Sequence, residues 1–136
     1  MLLKFIKRFQ KYKVKEIKIN GKKIKAIVAE TSTKRTIGLM YTERLSKNMC
    51  MLFVFNRDGR HGIWMLNMKF SIDVLWLDSK KRIICLKENL KPCKGILNCE
   101  VSYPKKRARY IIELNSGYVK SNGLKVGSMA SFNAQS

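Results

Sequence analysis

A single, mainly β domain is what this sequence predicts: a compact antiparallel sandwich or closed barrel with one short helix and a basic N-terminal arm. Three observations lead there. Short apolar and β-branched runs recur between turn dipeptides such as Asn20-Gly21 and Asn122-Gly123. No segment has the strand–helix–strand spacing of a parallel sheet. The chain has 136 residues, enough for one hydrophobic core and too few for two.

The elements follow in order. Residues 1–13 form a separable arm, and residues 14–136 the β domain. Alternating runs on either side of Asn20-Gly21 predict a β-hairpin, because that dipeptide suits a type I′ turn. Ser32 or Thr33 is placed to cap a short helix through Met40. Strands are expected at Met51–Phe55, Gly62–Met65, Ile72–Leu77, Arg82–Leu86, Arg109–Leu114 and Met129–Phe132. Asn56–Gly59 and Asp78–Lys81 read as turns, and residues 88–104 as a loop.

Lys and Arg number 29 against 9 acidic residues, a formal charge of +20. Such a surface attracts polyanions: nucleic acid, anionic lipid or acidic protein. Residues 1–25 and 80–109 hold most of the basic side chains. The named candidates for polyanion contact are Lys4, Lys7, Arg8, Lys11, Lys105, Lys106, Arg107 and Arg109. Tyr12, Tyr103 and Tyr110 are candidates for stacking on exposed bases. On a helix, Leu2, Phe5, Ile6 and Phe9 would share one face, which gives the arm an amphipathic form able to rest on an anionic membrane. No apolar stretch is long enough to span a bilayer, so no transmembrane segment is expected. No secretory leader is recognised either, which leaves the cytoplasm as the expected location.

Cys50 and Cys85 lie in apolar strands and read as buried thiols. Cys93 and Cys99 flank Lys-Gly-Ile-Leu-Asn and could close a small disulfide ring. The single His and the lack of a Cys-x-x-Cys pair give no metal site, and no cofactor motif is present. There is no phosphate loop and no nucleophile elbow, so a non-catalytic module is expected.

A more specific signal lies in Arg35-x-x-Gly38-Leu-Met40, Met51-Leu-Phe-Val-Phe55, Trp64-Met65-x-Asn67, Ile72-Asp73, Ile112-Glu113-Leu114 and Gly117. Their order and spacing, over residues 14–132, resemble the small single-domain family known as domain of unknown function 192. The resemblance implies a jelly-roll-type β-sandwich or barrel and no established activity. It gathers Arg35, Gly38, Met40, Trp64, Met65, Asn67, Asp73 and Glu113 as a motif cluster. Cys50, Leu66, Met68, Ser71 and Ser128 depart from the family pattern and make the Trp64 neighbourhood more apolar.

Read on their own terms, Asp73 lies in an apolar strand and needs a partner, for which Arg35 is a candidate. Glu113 could pair with Asp73 as a general acid and base, although a solvent-facing Glu is the simpler account. His61 sits in a Gly-rich turn, where a surface position is the simpler reading. Met40, Tyr41, Trp64, Met65 and Met68 could line an apolar pocket with Asn67 as its polar contact, or simply pack a core. Three functional readings result. The first is polyanion binding, most simply of RNA, through the basic surface. The second is a small-molecule or hydrolytic site at Trp64, Asn67, Asp73 and Glu113. The third is peripheral membrane association through the arm.

Overall fold

A computed structural model describes residues 8–133. Lys4 and Lys7, with most of the amphipathic arm, lie outside the described residues. The strands are β1 (Lys13–Ile19), β2 (Lys22–Ala29), β3 (Met49–Gly59), β4 (Ile72–Leu77), β5 (Ile83–Leu90), β6 (Ala108–Asn115) and β7 (Ala130–Ser131). Two short helices, α1 (Ser32–Ile37) and α2 (Tyr118–Ser121), and a 3₁₀ turn (Ile96–Asn98) complete the described elements.

The strands form one curled sheet in the order β5-β4-β6-β3-β2-β1-β7. Its two ends approach each other through residues 127–131. Ser131 and Ala130 pair with Lys18 and Ile19 of β1. On the other side, Met129 bridges Arg82, and Ile83 exchanges hydrogen bonds with Ser128 and Gly127. Curling gives the sheet a concave face that holds Ile17, Ile24, Leu52, Leu75 and Ile112. The convex face carries Ile27, Met51, Phe53, Val74, Trp76 and Ile111, and packs against Leu39, Leu45, Met65 and Met68. Every residue of β4 is consequently buried, and the strand reads as an unbroken apolar run with one acid in it.

Local chemistry explains most elements. Asn20 and Gly21 both have positive φ, 51° and 83°, as a type I′ turn requires. The side chain of Thr31 accepts from the amide of Lys34 and caps α1, so the cap falls one residue before Ser32 and Thr33. Gly38 ends this helix at φ 50°, and a Cβ there would lie 3.3 Å from the Phe53 ring.

Four expectations are corrected. β2 and β3 pair in parallel across α1, a strand–helix–strand unit disguised by a helix of six residues. Residues 56–59 are not a turn, because β3 runs through them with a register shift between Val54 and Gly59. Gly62–Met65 is not a strand, and only Ile63 pairs, with Ser102. Finally, α2 follows β6 where no helix is expected. Cys93 and Cys99 are joined, with Cα atoms 5.1 Å apart, and Cys50 and Cys85 are buried free thiols.

Asp73 explains α2. Its carboxylate is fully buried, and Oδ2 accepts from the backbone amides of Gly117 and Val119 at 3.1 and 2.9 Å. Oδ1 accepts from the amide of Asn89 at 2.9 Å. A bulge in β5, where Ile72 faces Leu90 but Val74 faces Lys87, turns that amide inward. Arg35 plays no part here. Its guanidinium donates to the carbonyls of Glu30 and Val54 and lies 5.1 Å from the Phe55 ring centre. The Arg35–Asp73 pair is therefore absent: the backbone supplies donors closer to Asp73 than any cation of α1.

Replacing Asp73 by Ala should leave three backbone amides, that of Val119 among them buried, without their acceptor and cost about 3 kcal/mol of stability, read as a lower urea midpoint. The hydroxyl of Tyr118 is buried without a partner among the described residues. Tyr118→Phe should thus stabilise the protein by about 1 kcal/mol, seen as a raised Tm.

Candidate functional site

The motif residues converge on the convex face. A cavity of about 370 Å³ lies between α1, β3, β6 and the 61–68 segment. Arg35, Gly38, Met40, Trp64 and Glu113 all line it, together with Phe53, Phe55 and His61. Each arrives by a simple route. The α1 helix and its Gly38 terminus bring Arg35 and Met40 over β3. The parallel crossover places α1 on the convex side. The 61–68 segment is pinned by the Trp76 indole, which donates to the His61 carbonyl at 2.8 Å.

Glu113 forms the floor. Cross-strand register sets it between Met51 of β3 and Val74 of β4, two apolar neighbours on the convex face. The expectation of a solvent-facing Glu is overturned: the residue is 4% exposed, because the 61–68 segment and α1 cover that face. No hydrogen bond or ion pair reaches its carboxyl among the described residues, and burial pushes its pKa up to about 8. At neutral pH it is mainly a protonated acid, with one O–H to donate and one carbonyl oxygen to accept.

Register also separates Glu113 from Asp73. Asp73 faces Leu114 of β6, whereas Glu113 faces Val74, so the two carboxyls point to opposite faces of the sheet. They cannot act together on one bond as general acid and base.

The other candidates are placed as follows. His61 is half-buried; its ring stacks on Phe55 at 3.7 Å, and Nε2 lies 3.0 Å from the Arg57 carbonyl. Met40, Trp64 and Met68 line the cavity, but Tyr41 is 63% exposed, and Met65 is buried on the convex side. Asn67 shapes the loop at φ 60°: its carbonyl accepts from the Tyr41 amide and its side chain meets the Met40 sulfur at 3.9 Å.

The basic candidates are partly engaged. Arg109 pairs with the Asp58 carboxylate at 2.8 Å, and Arg107 donates to the Asp58 carbonyl. Arg8 donates to the Met40 carbonyl, and the carbonyl of Lys11 accepts from Lys34 Nζ. Lys105, Lys106 and Arg107 are exposed. Tyr110 is not available for stacking, since it is buried edge-on to Phe132. Tyr12 meets Phe9 edge-on, and Tyr103 is exposed. Among the described residues no helix is long and apolar enough to cross a membrane, and no cluster of His, Cys, Asp or Glu is placed to hold a metal.

Fold and cavity together define a small β-barrel protein with a covered, carboxyl-floored pocket on its convex face. The chain belongs to the family DUF192, described as "Uncharacterized ACR, COG1430", which matches residues 15–132. It is 33% identical over 110 residues to UPF0127 protein TK1120 of Thermococcus kodakarensis, covering 79% of this chain and 64% of that one. It is 30% identical over 120 residues to UPF0127 protein PF1050 of Pyrococcus furiosus, covering 83% and 92%. The chain thus spans somewhat under two thirds of the length of the Thermococcus relative. Two solved structures share the fold. One is a candidate transcription regulator from Sinorhizobium meliloti (TM-score 0.81, 25% identity, 88% of this chain and 94% of that one). The other is a protein of unknown function from Novosphingobium aromaticivorans (TM-score 0.78, 19% identity, 88% and 85%).

The raised pKa of Glu113 makes stability depend on pH. Above the ordinary Glu range, at 4.5, the unfolded chain has lost this proton, while the folded chain keeps it to about 8. Folding therefore takes up a proton in that window, and the contribution of this residue to stability falls as pH rises, by about 1.4 kcal/mol per pH unit. Urea titrations of wild type and Glu113→Gln from pH 5 to 8 should show the variant gaining relative to wild type at the alkaline end.

Proposed function

We propose that this protein is a small-ligand-binding module and that the cavity over Glu113 is its site. The observation that carries the reading is a largely buried glutamate that lines a cavity walled by Phe53, Phe55 and Trp64 and whose carboxyl takes no hydrogen bond or ion pair from the described residues. A polar group buried without a partner destabilises a fold, and such groups concentrate at functional sites. A protonated carboxyl both donates and accepts, so the ligand class that fits is uncharged, with an amide or hydroxyl edge and a flat apolar body. Arg35 donates through Nη1 to two carbonyls, and His61 lies against a carbonyl and the Phe55 ring, which holds both side chains in fixed positions in the cavity lining.

The test is a ¹H–¹⁵N NMR screen against neutral amide and alcohol fragments. Hits should move the Trp64 indole and the amides near His61, survive Glu113→Gln, disappear in Glu113→Ala, and weaken above about pH 8. Hits that leave these signals unmoved would refute the assignment.

A second reading, contact with a polyanion such as RNA, is favoured by the exposed run Lys105, Lys106 and Arg107. It also accords with the neighbour described as a candidate transcription regulator. Binding would fall steeply with salt, and charge reversal at Lys105, Lys106 and Arg107 should weaken it without altering sequence preference. Filter binding of an RNA oligonucleotide across a salt series reads both effects. Affinity unchanged in the triple variant would count against that surface.

A further inference from the structure

A second cavity of about 370 Å³ shares no residue with the one over Glu113. It opens where the β1–β2 turn, the lead into β3 and the segment after β6 meet. Its charged lining groups are Lys22, Lys23 and Lys47, and no carboxylate lines it. Asn48, Ser121 and Asn122 add amide and hydroxyl groups.

The backbone brings three lysines to the lining of this cleft. The type I′ turn delivers Lys22 and Lys23 to the start of β2, where consecutive side chains leave opposite faces of the sheet: Lys22 turns to Asn122 and Lys23 to Glu16 of β1. Parallel pairing sets Lys25 opposite Met49, and Lys47 lies in the turn that leads into β3. A backbone bond from the Lys25 amide to the Asn48 carbonyl, 3.1 Å, fixes that approach.

The cations are placed but not neutralised. Lys22 Nζ donates to Asn122 Oδ1 at 3.0 Å, and the Asn122 amide is anchored on the Tyr118 carbonyl at 2.9 Å. An amide oxygen orients the ammonium group without cancelling its charge. Lys23 lies 3.8 Å from Glu16, with both side chains more than half exposed, which is a weak pairing. Lys47 has no ion pair among the described residues. Lys22 and Lys47 line the cleft with no carboxylate beside them, and an anion with several oxygens would offset their charge. Lysines act as point charges for phosphate, and neutral donors such as Asn48 and Ser121 can take the remaining oxygens.

We propose that this cleft binds a phosphate-bearing anion, held by Lys22 and Lys47. Phosphate is the shared chemistry of a phosphorylated small molecule and a nucleic-acid backbone, and the volume is at the lower end of that of small-molecule pockets.

Calorimetric titration of the full chain at about 0.15 M salt tests it, with pyrophosphate in one arm and a single-stranded RNA decamer in the other. If the source is a small phosphorylated molecule, pyrophosphate binds and moves the NMR amide signals of Lys47, Asn48 and Ser121. The double variant Lys22→Gln, Lys47→Gln should then weaken it about tenfold or more, while Lys105→Gln, Lys106→Gln leaves it unchanged. RNA binding lost in the first double variant, without pyrophosphate binding, would place a nucleic-acid backbone in the cleft. Two results overturn the proposal: neither probe binding, or binding that survives the Lys22/Lys47 changes. Circular dichroism of each variant confirms that the fold persists.

Discussion

The carboxylate of Asp73 is removed from water at the first turn of the most buried strand, and three backbone amides surround it. Those amides come from β5 and from the segment after β6, the two neighbours of β4. One side chain thus locks three consecutive strands of the sheet at a single end, where hydrophobic contact alone would allow them to slide. It also holds α2, a helix of four residues and far too short to persist alone. Through α2 the effect spreads: Val119 and Leu124 fill the concave core, and Asn122 positions Lys22 at the rim of the basic cleft.

Glu113 shows the opposite outcome for the same functional group. It sits one pleat away, on the adjoining strand, facing the convex side, and the sheet itself separates the two carboxyls. With three charge-assisted hydrogen bonds, the desolvation of Asp73 is offset. With none, that of Glu113 is relieved by taking up a proton. Two acids near each other in space therefore differ in role because one meets backbone donors and the other meets only side-chain carbon. The first is a structural clamp; the second is the floor of the convex-face cavity.

What the sequence made legible is what is decided locally. The Asn20-Gly21 turn and the bounds of β4 are written in a few adjacent residues, and both stand as read. The convergence of Arg35, Gly38, Met40, Trp64 and Glu113 was legible as a motif, though not as a cavity. Alternation places Glu113 on the side of Ile111 but cannot say what covers that side, so its burial was missed. The partner of Asp73 was missed for a related reason: backbone amides more than forty residues away leave no side-chain signature. The parallel crossover was hidden by the brevity of α1. A hint for α2 was available in retrospect, since an acid within an all-apolar strand calls for nearby donors and Gly117 begins a turn.

The near-closure of the sheet has a consequence for how the chain reaches this state. β1 and β2 join through a two-residue turn, so this hairpin can form as soon as it is made. Its outer edge, however, is paired at Lys18 and Ile19 by Ser131 and Ala130, more than a hundred residues further along the chain. Bringing such distant segments together carries a large loop-closure entropy, which places the event late in folding. During synthesis the lysine-studded edge of β1 must wait, open, for its partner. Strand edges in that condition recruit other chains, and inward- or outward-pointing lysines are a known deterrent. Lys13, Lys15 and Lys18 put that deterrent on β1, so that part of the positive charge of this protein guards an unfinished barrel.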